Sequence, residues 1–349
     1  MSEFEIVLGP MRAGKTTYCE NSGKAFISHD GLMARFQQKF DLLFDEVVRT
    51  LNASPDRDFT IDGWFSVYNS DPATVTRLAK SVRQRVRIVC FYAPVDILLE
   101  RIKTSTSKHT REDILGVYSR MIKFYVDELR GFDFAFRDSD REYAFTEFMG
   151  KVRGDMVTAT PGDVDGFVEY LKNAPHYDKY YQTIPLPHGR TIRGYERTEL
   201  TWDIVRQRVD FRGRTVLDAG CFHAYASFGA EDAGALRVVG VDRVAQALET
   251  ARRLRDIWHY KTEFVLADLD EWTPDGRYDV VMCLNTVQHL KKPADVVARL
   301  FGAGDTVVWE ADEKYRSMFE GQKTHRLVKE EESPRWRDLK RKIYYYRRI

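Results

Sequence analysis

Twice along this 349-residue chain, a short apolar run turns sharply at a glycine and gives way to a helical pattern. The first instance is Phe4-Glu5-Ile6-Val7-Leu8, followed by Gly9-Pro10-Met11-Arg12-Ala13-Gly14-Lys15-Thr16-Thr17. The second is Val216-Leu217-Asp218-Ala219-Gly220-Cys221, with Val238-Val239-Gly240-Val241-Asp242 further on. Strand, tight turn and helix in succession point to an open α/β sheet. Two such starts, so far apart, imply two sheets and hence two domains, which the length allows. A hydrophobic fraction of 43% is enough for two packed cores.

The rest of the chain alternates in the same way. Ala25–Ser28 reads as a second strand ending at His29-Asp30, and Phe59–Asp62 as a third. Between them, Leu32, Phe36, Phe40, Leu43, Phe44, Val47, Val48 and Leu51 recur at helical spacing, which predicts one helix over 32–51. Arg87–Tyr92 is nearly continuous in apolar residues, as for a parallel strand covered on both faces. Phe132–Phe136 reads as the last strand of this half. The Gly-, Pro-, Asp- and Thr-bearing stretch from Lys151 to Pro175 marks the junction, which places domains at 1–152 and 153–349. Strand-like runs resume at 216–218, 238–242, 264–268, 278–284 and 306–310. Arg341–Arg348, with basic flanks, has the look of an edge strand. No internal repeat or low-complexity tract is present.

The first turn suits a nucleoside triphosphate. Its backbone N–H groups can converge on phosphate oxygens, and the following helix adds its positive end. Gly9, Arg12, Ala13, Gly14, Lys15, Thr16 and Thr17 make up the cradle, with Lys15 on the β- and γ-phosphates and Thr16 on Mg²⁺. Phosphoryl transfer also needs a carboxylate at the acceptor hydroxyl and an acid supporting the metal. Asp30 and Asp62, each at a strand end, are the candidates. Arg101, Lys103, Lys108 and Arg111 flank a Ser/Thr-rich segment, 103–110, that reads as a lid.

The second turn suits an adenosyl group. An acid at the second strand tip, Asp242, holds ribose hydroxyls, and the turn at Asp218 and Gly220 approaches the cofactor. The residues after Gly220 are poor in glycine, so a pyrophosphate would be badly seated and S-adenosylmethionine is preferred to NAD. Asp268, with Leu269 beside it, faces the adenine, and Asn285 follows the fourth strand. His289 stands close to where a methyl group would move and is either a general base or a packed residue. Tyr195, Glu196 and Trp202 are candidate acceptor-pocket residues. Arg193, Arg197, Arg206, Arg208, Arg212 and Arg214 make the stretch before this turn locally basic.

The segments GPMRAGKTT, ISHDGLMAR, FTIDGW and FYAPVDILLERIKTSTSKHTREDILGVYSRM resemble the P-loop kinase group that includes polynucleotide kinases, over about residues 4–150. That resemblance implies Asp30 as general base and Arg101 and Arg111 as lid cations. The group often carries an arginine three residues after the base, where this chain has Met33. No Asn-Lys-x-Asp guanine motif occurs. The segments VLDAGC, VVGVD, EFVLAD and YDVVMCLNTVQHLKKP resemble class I methyltransferases. With the flanking YYQTIPLPHGRTIRGYERTELTWDIV and SPRWRDLKRKIYYYRR, they resemble the subgroup of the wobble-uridine tRNA carboxymethyltransferase, over about residues 176–349. Ala224 stands where that subgroup has a glycine. Together the resemblances imply two open, parallel-sheet, three-layer domains, a P-loop NTPase fold followed by a Rossmann-like methyltransferase fold.

The expectation is a bifunctional enzyme using ATP, Mg²⁺ and S-adenosylmethionine on a hydroxyl-bearing acceptor, either a nucleotide or nucleic acid, or a glycan or small metabolite whose new phosphate is then methylated. An ATP-controlled binding module without chemistry in its second half is the alternative. Fifty-four Lys and Arg against 53 Asp and Glu leave no global field for nucleic acid. The start MSEFEIVLGPMRAGK lacks a basic segment followed by an apolar one, no apolar stretch is long enough to cross a bilayer, and Cys19, Cys90, Cys221 and Cys283 form no C-x-x-C pair. Those features set the expectation of a cytoplasmic protein that does not engage membranes.

Overall fold

A computed structural model describes residues 2–36, 40–63, 72–104, 109–175, 179–335 and 341–349. The chain divides into two compact units, Met1–Asp155 and Met156–Ile349. The division falls near the end of the helix Phe145–Met156, slightly beyond the 152/153 junction read from composition. The next helix, Pro161–Asn173, opens on a capping box in which Thr160 and Asp163 each bond the other's backbone N–H.

The first unit contains β1 (Glu3–Leu8), β2 (Ala25–Ser28), β3 (Phe59–Asp62), β4 (Arg85–Phe91), β5 (Asp133–Arg137) and β6 (Glu142–Tyr143), in the sheet order β2-β3-β1-β4-β5-β6. The first five strands are parallel. The turn that leaves the central strand β1 therefore lies beside those leaving β2 and β3. Glu5 is buried in the middle of β1 and is tolerated because Lys24 Nζ stands 2.8 Å from one carboxylate oxygen and Tyr18 donates to the other at 3.0 Å. The helix expected over 32–51 is instead two, His29–Arg35 and Phe40–Ala53. Ser28 Oγ accepts from Gly31 N at 3.2 Å, so the first of them starts directly at the end of β2.

The second unit opens with a small hairpin, β7 (Ile184–Pro185) and β8 (Thr191–Ile192). Its main sheet comprises β9 (Thr215–Ala219), β10 (Arg237–Asp242), β11 (Glu263–Leu266), β12 (Tyr278–Leu284), β13 (Gly304–Asp312), β14 (His325–Glu332) and β15 (Arg341–Arg348) in the order β11-β10-β9-β12-β13-β15-β14. Successive residues serve opposite faces. Val216, Val238, Val280, Val308 and Tyr345 pack on one side with Trp202, Val205 and Phe211. Leu217, Val239, Val281, Val307 and Tyr344 pack on the other with Val297, Leu300 and Phe301. Both faces are thus covered by apolar layers.

Two expectations are corrected. The sheets are mixed, not purely parallel: β6 in the first, and β14 and β15 in the second, run antiparallel to their neighbours. Nor is the segment 341–348 an edge strand, because it lies between β13 and β14. Ile343 and Tyr344 to Tyr346 are buried on both faces, and two of the flanking charges are met by acids, Lys342 by Glu330 at 2.9 Å and Arg348 by Asp305 at 3.1 Å. The true edge is β14, whose Lys- and Glu-rich sequence suits a rim exposed to water.

Candidate functional site

In the first unit, Lys15, Thr16 and Thr17 come from the turn after β1, His29 and Asp30 from the helix after β2, and Asp62 from the end of β3. With Gly9, Arg12, Gly14 and Arg101 they line one cavity of about 760 Å³. Gly14 takes φ +95°, left-handed backbone that favours glycine, where the loop turns into the helix Lys15–Asn21. Thr16 Oγ1 donates to Asp62 Oδ2, and Asp62 Oδ1 accepts from His29 N at 3.3 Å. Thr16 and Asp62 are therefore the pair that would hold Mg²⁺, the other ligands coming from phosphate and water. Lys15 Nζ is folded back onto the carbonyls of Gly9 (3.0 Å) and Pro10 (2.7 Å). Burial pushes the Lys15 ammonium down to about 8, against the opposing pull of Asp62 and Asp30. Asp30 is fully exposed at the cavity, with its carboxylate 3.5 Å from His29 Nδ1.

The cations divide. Arg101 reaches the cradle and donates to the Arg12 carbonyl at 2.9 Å. Arg111, expected beside it, does not line the cavity. Its guanidinium is engaged by Asp96 at 2.8 Å and by the Asp155 carbonyl at 2.6 Å. Lys103 pairs with Glu100. Lys108 and half of the expected lid, 105–108, lie outside the described residues. Ala13 is buried and does not line the cavity.

In the second unit, Asp218, Gly220, Asp242, Asp268, Leu269, Asn285 and His289 all line one cavity of about 400 Å³ at the carboxyl edge of the sheet. Gly220 (φ +88°) could carry no side chain, since a Cβ would stand 2.2 Å from Thr286 Oγ1. Phe222 (φ +52°) and Ala224 (φ +67°) are also left-handed, so backbone strain concentrates in this turn. The Ala224 methyl points away from the cavity into an apolar cluster with Phe167, Leu171 and Phe228, which is how the turn accommodates a residue other than glycine. Asp242 accepts from Phe222 N and Val244 N, both at 2.9 Å, and its carboxylate keeps lone pairs for ribose hydroxyls. Burial raises its pKa, and it pushes buried Asp218 up to about 6 even though Ser227 Oγ donates to it at 2.6 Å. Asp268 lies beyond β11, which ends at Leu266.

Several residues here are not among the candidates that the sequence offers, although they lie in the flanking segments that carry the resemblance. Gln182 accepts from His223 N at 3.1 Å and donates to the Cys221 carbonyl at 3.4 Å, holding the turn from outside. Tyr181 receives a hydrogen bond from Asn285, which in turn accepts from buried Arg341. Arg335 joins the cavity wall. These residues are distant in sequence from the glycine turn, and no spacing rule connects them to it. Tyr195 lines the cavity as expected. Trp202 belongs to the core, and Glu196 is buried outside the lining. The basic stretch is met by acids: Arg197 by Glu199, Arg206 by Asp203, Arg208 by Glu331 and Arg214 by Asp279.

Tight turn, acidic second-strand tip and carboxyl-edge cavity define the second unit as an adenosyl-binding α/β domain. Known proteins give that class a narrower description. Residues 216–303 match the family model for the methyltransferase domain, so the second unit carries a methyltransferase domain. The tRNA U34 carboxymethyltransferase of Shewanella sp. (strain W3-18-1) is 32% identical over 117 residues, 32% of this chain and 35% of that protein. The ubiquinone biosynthesis O-methyltransferase of Neisseria meningitidis serogroup C is 34% identical over 102 residues, 28% of this chain and 42% of its own. The chain spans about a third of the length of the carboxymethyltransferases it matches first. Magnesium protoporphyrin IX methyltransferase from Synechocystis PCC 6803, solved with bound SAM, aligns over 44% of this chain and 77% of its own, at 20% identity and a TM-score of 0.37. No helix among the described residues is long and apolar enough to cross a membrane.

Proposed function

We propose that the chain carries out two group transfers: ATP·Mg²⁺-dependent phosphorylation of a hydroxyl, and methyl transfer from S-adenosylmethionine to the same or a related acceptor. The observation that carries this reading is the convergence of complementary groups on each of two cavities. Lys15, Thr16, Asp62 and Asp30 come from three separate turns to one. Asp218, Gly220, Asp242 and Asp268 come from three turns to the other. In the first, Lys15 would leave the carbonyls of Gly9 and Pro10 to meet phosphate oxygens, and Thr16 with Asp62 would hold a Mg²⁺ that neutralises phosphate charge. Asp30 takes the proton of the acceptor hydroxyl as its oxygen attacks the γ-phosphorus, and ADP departs. In the second, S-adenosylmethionine supplies an activated methyl group. Asp242 holds the ribose, and the strained turn sets the depth at which the donor sits.

The names of the relatives keep tRNA or another nucleotide among the acceptors. The pairing of Arg197, Arg206, Arg208 and Arg214 with acids favours a small acceptor over a long nucleic acid, because those cations are already engaged. The test is incubation with labelled ATP and labelled S-adenosylmethionine against nucleosides, RNA, DNA and glycans, with mass measurement of products. Lys15→Ala and Asp30→Ala should both abolish phosphorylation, and only the former should lose ATP affinity. Full phosphorylation by Asp30→Ala would remove the base assignment. Absence of S-adenosylmethionine binding by calorimetry in the unaltered chain would reject the methyl-transfer half.

A further inference from the structure

The strand register aligns four residues across the carboxyl edge of the second sheet. Val241 is level with Ala219, Met282 with Asp218, and Leu284 with Glu310, so Asp242, Gly220, Leu284 and Glu310 form one row. Asp242 and Glu310 are its ends, on β10 and β13, three strand spacings or roughly 14 Å apart. Asp242 is the ribose end. Glu310, fully buried, is occupied differently: its Oε1 accepts from Thr201 Oγ1 at 3.0 Å and Ser333 Oγ at 2.6 Å, and Arg335 Nε stands 3.5 Å away. Arg335 Nε also donates to Thr201 Oγ1 at 2.9 Å. A glutamate, a threonine and a serine thus fix one buried guanidinium in the wall of the cavity, at the end away from the ribose.

The hydrogen bonding on that side is incomplete, with Arg341 Nε and Glu310 Oε2 both buried without a partner. Arg335 and Arg341 are both buried. Glu310 answers Arg335, but Arg341 donates to the neutral amide oxygen of Asn285 and its Nε has no partner. Glu196 is nearby; burial raises its carboxyl pKa, while Arg335 and Arg341 lower it. Among the described residues the terminal nitrogens of Arg335 have no acceptor. Buried cations of this kind are costly until an anion joins them, and the cavity is where one can enter.

We propose that Arg335 binds an acceptor whose reacting group is an anionic oxygen, a phosphate monoester or a carboxylate. This rests on the reading that the second unit transfers a methyl group. Such an acceptor needs no base. A lone pair of the anionic oxygen forms the O–CH3 bond as the S–CH3 bond breaks, and the electron pair stays on sulfur. The acceptor becomes a methyl ester, the sulfonium becomes a neutral thioether, and no proton moves. Arg335 contributes by orienting the oxyanion along the S–CH3 axis. A phosphate monoester is also the kind of product the first unit would release.

The test is calorimetry on the full chain carrying Lys15→Ala, so that the first unit contributes no phosphate binding. Inorganic phosphate and acetate are titrated into this protein, free and saturated with S-adenosylhomocysteine, with and without Arg335→Gln. We expect at least one of the anions to bind, and Arg335→Gln to weaken it tenfold or more while S-adenosylhomocysteine affinity stays within twofold. Whichever anion binds tells phosphate monoester from carboxylate. Arg335→Lys should retain part of the affinity. Arg335→Gln combined with Glu310→Gln removes both members of the buried pair together, and it serves if the single variant unfolds. Equal anion affinity with and without Arg335 would overturn the proposal. So would an Arg335→Gln variant that weakens S-adenosylhomocysteine but not 5′-methylthioadenosine, because Arg335 would then hold the donor's own carboxylate. Failure of the unaltered chain to bind S-adenosylhomocysteine would instead remove the methyl-transfer reading, and the donor-free titration would still report on Arg335.

Discussion

Asp218→Asn should stabilise the second unit near neutral pH and weaken its grip on the methyl donor. Asp218 is the next-to-last residue of β9, is 2% exposed, and has its carboxyl pushed up from 3.8 to about 6 by burial. Between those two values the folded state holds the proton more tightly than the unfolded chain does. The sign is therefore fixed: this group costs stability as pH rises through 6, and the cost vanishes below about 4. A rise of about two units at 1.36 kcal/mol each makes the full cost on the order of 3 kcal/mol above pH 6. An asparagine has the same shape, keeps an oxygen for Ser227 and never pays that charge cost. Its buried NH2 adds a penalty, but a penalty independent of pH, so the change between two pH values is diagnostic. At about 2–4 °C per kcal/mol for a unit of this size, the variant should gain on the order of 5–10 °C over the parent between pH 4 and pH 7.5. The assay is calorimetric unfolding of both proteins at each pH. S-adenosylmethionine carries a sulfonium and an ammonium, so it should raise the parent's midpoint well above the variant's at equal concentration. An offset between the two proteins that stays constant from pH 4 to 7.5 would show that Asp218 is not an uncompensated buried charge, and the reasoning would fail.

Three further outcomes are expected. Phosphate oxygens should pull the Lys15 ammonium back towards its ordinary range, so ATP binding near pH 8 should take up a fraction of a proton; calorimetry in buffers of different ionisation enthalpy measures this, and zero uptake would contradict it. Gly220→Ala should cut S-adenosylmethionine affinity at least tenfold, because its Cβ would meet Thr286 Oγ1 at 2.2 Å; Thr286→Ala should restore only part, since the left-handed φ remains. Ala224→Gly should be nearly neutral in unfolding experiments, the relief of a left-handed alanine, about 1 kcal/mol, offsetting a lost buried methyl of about 0.8 kcal/mol.

Local chemistry was legible in the sequence. Strands β1, β3, β4, β9, β10, β12 and β13 announced themselves as apolar runs, because a strand covered on both faces must be apolar nearly throughout. The glycine turns were equally plain, because the backbone there needs left-handed φ or room beside a neighbour, as Gly14 and Gly220 show. Pairing across the sheet was not legible. The segment 325–332 is rich in Lys and Glu and has no apolar run to mark it; it is a strand through its pairing with β15. The same pairing moves 341–348 from the rim to the interior. Arg111 and Arg101 looked alike in the sequence, yet Asp96 and the Asp155 carbonyl engage one outside the first cavity while the other lines it. Arg335, Glu310, Thr201 and Ser333 are scattered over more than a hundred residues, and only the register of the folded sheet brings them to one end of the donor pocket. Hydrophobic period and turn geometry act over a few residues and can be read from order alone. Charge compensation acts through space, and only the tertiary fold decides which charges meet.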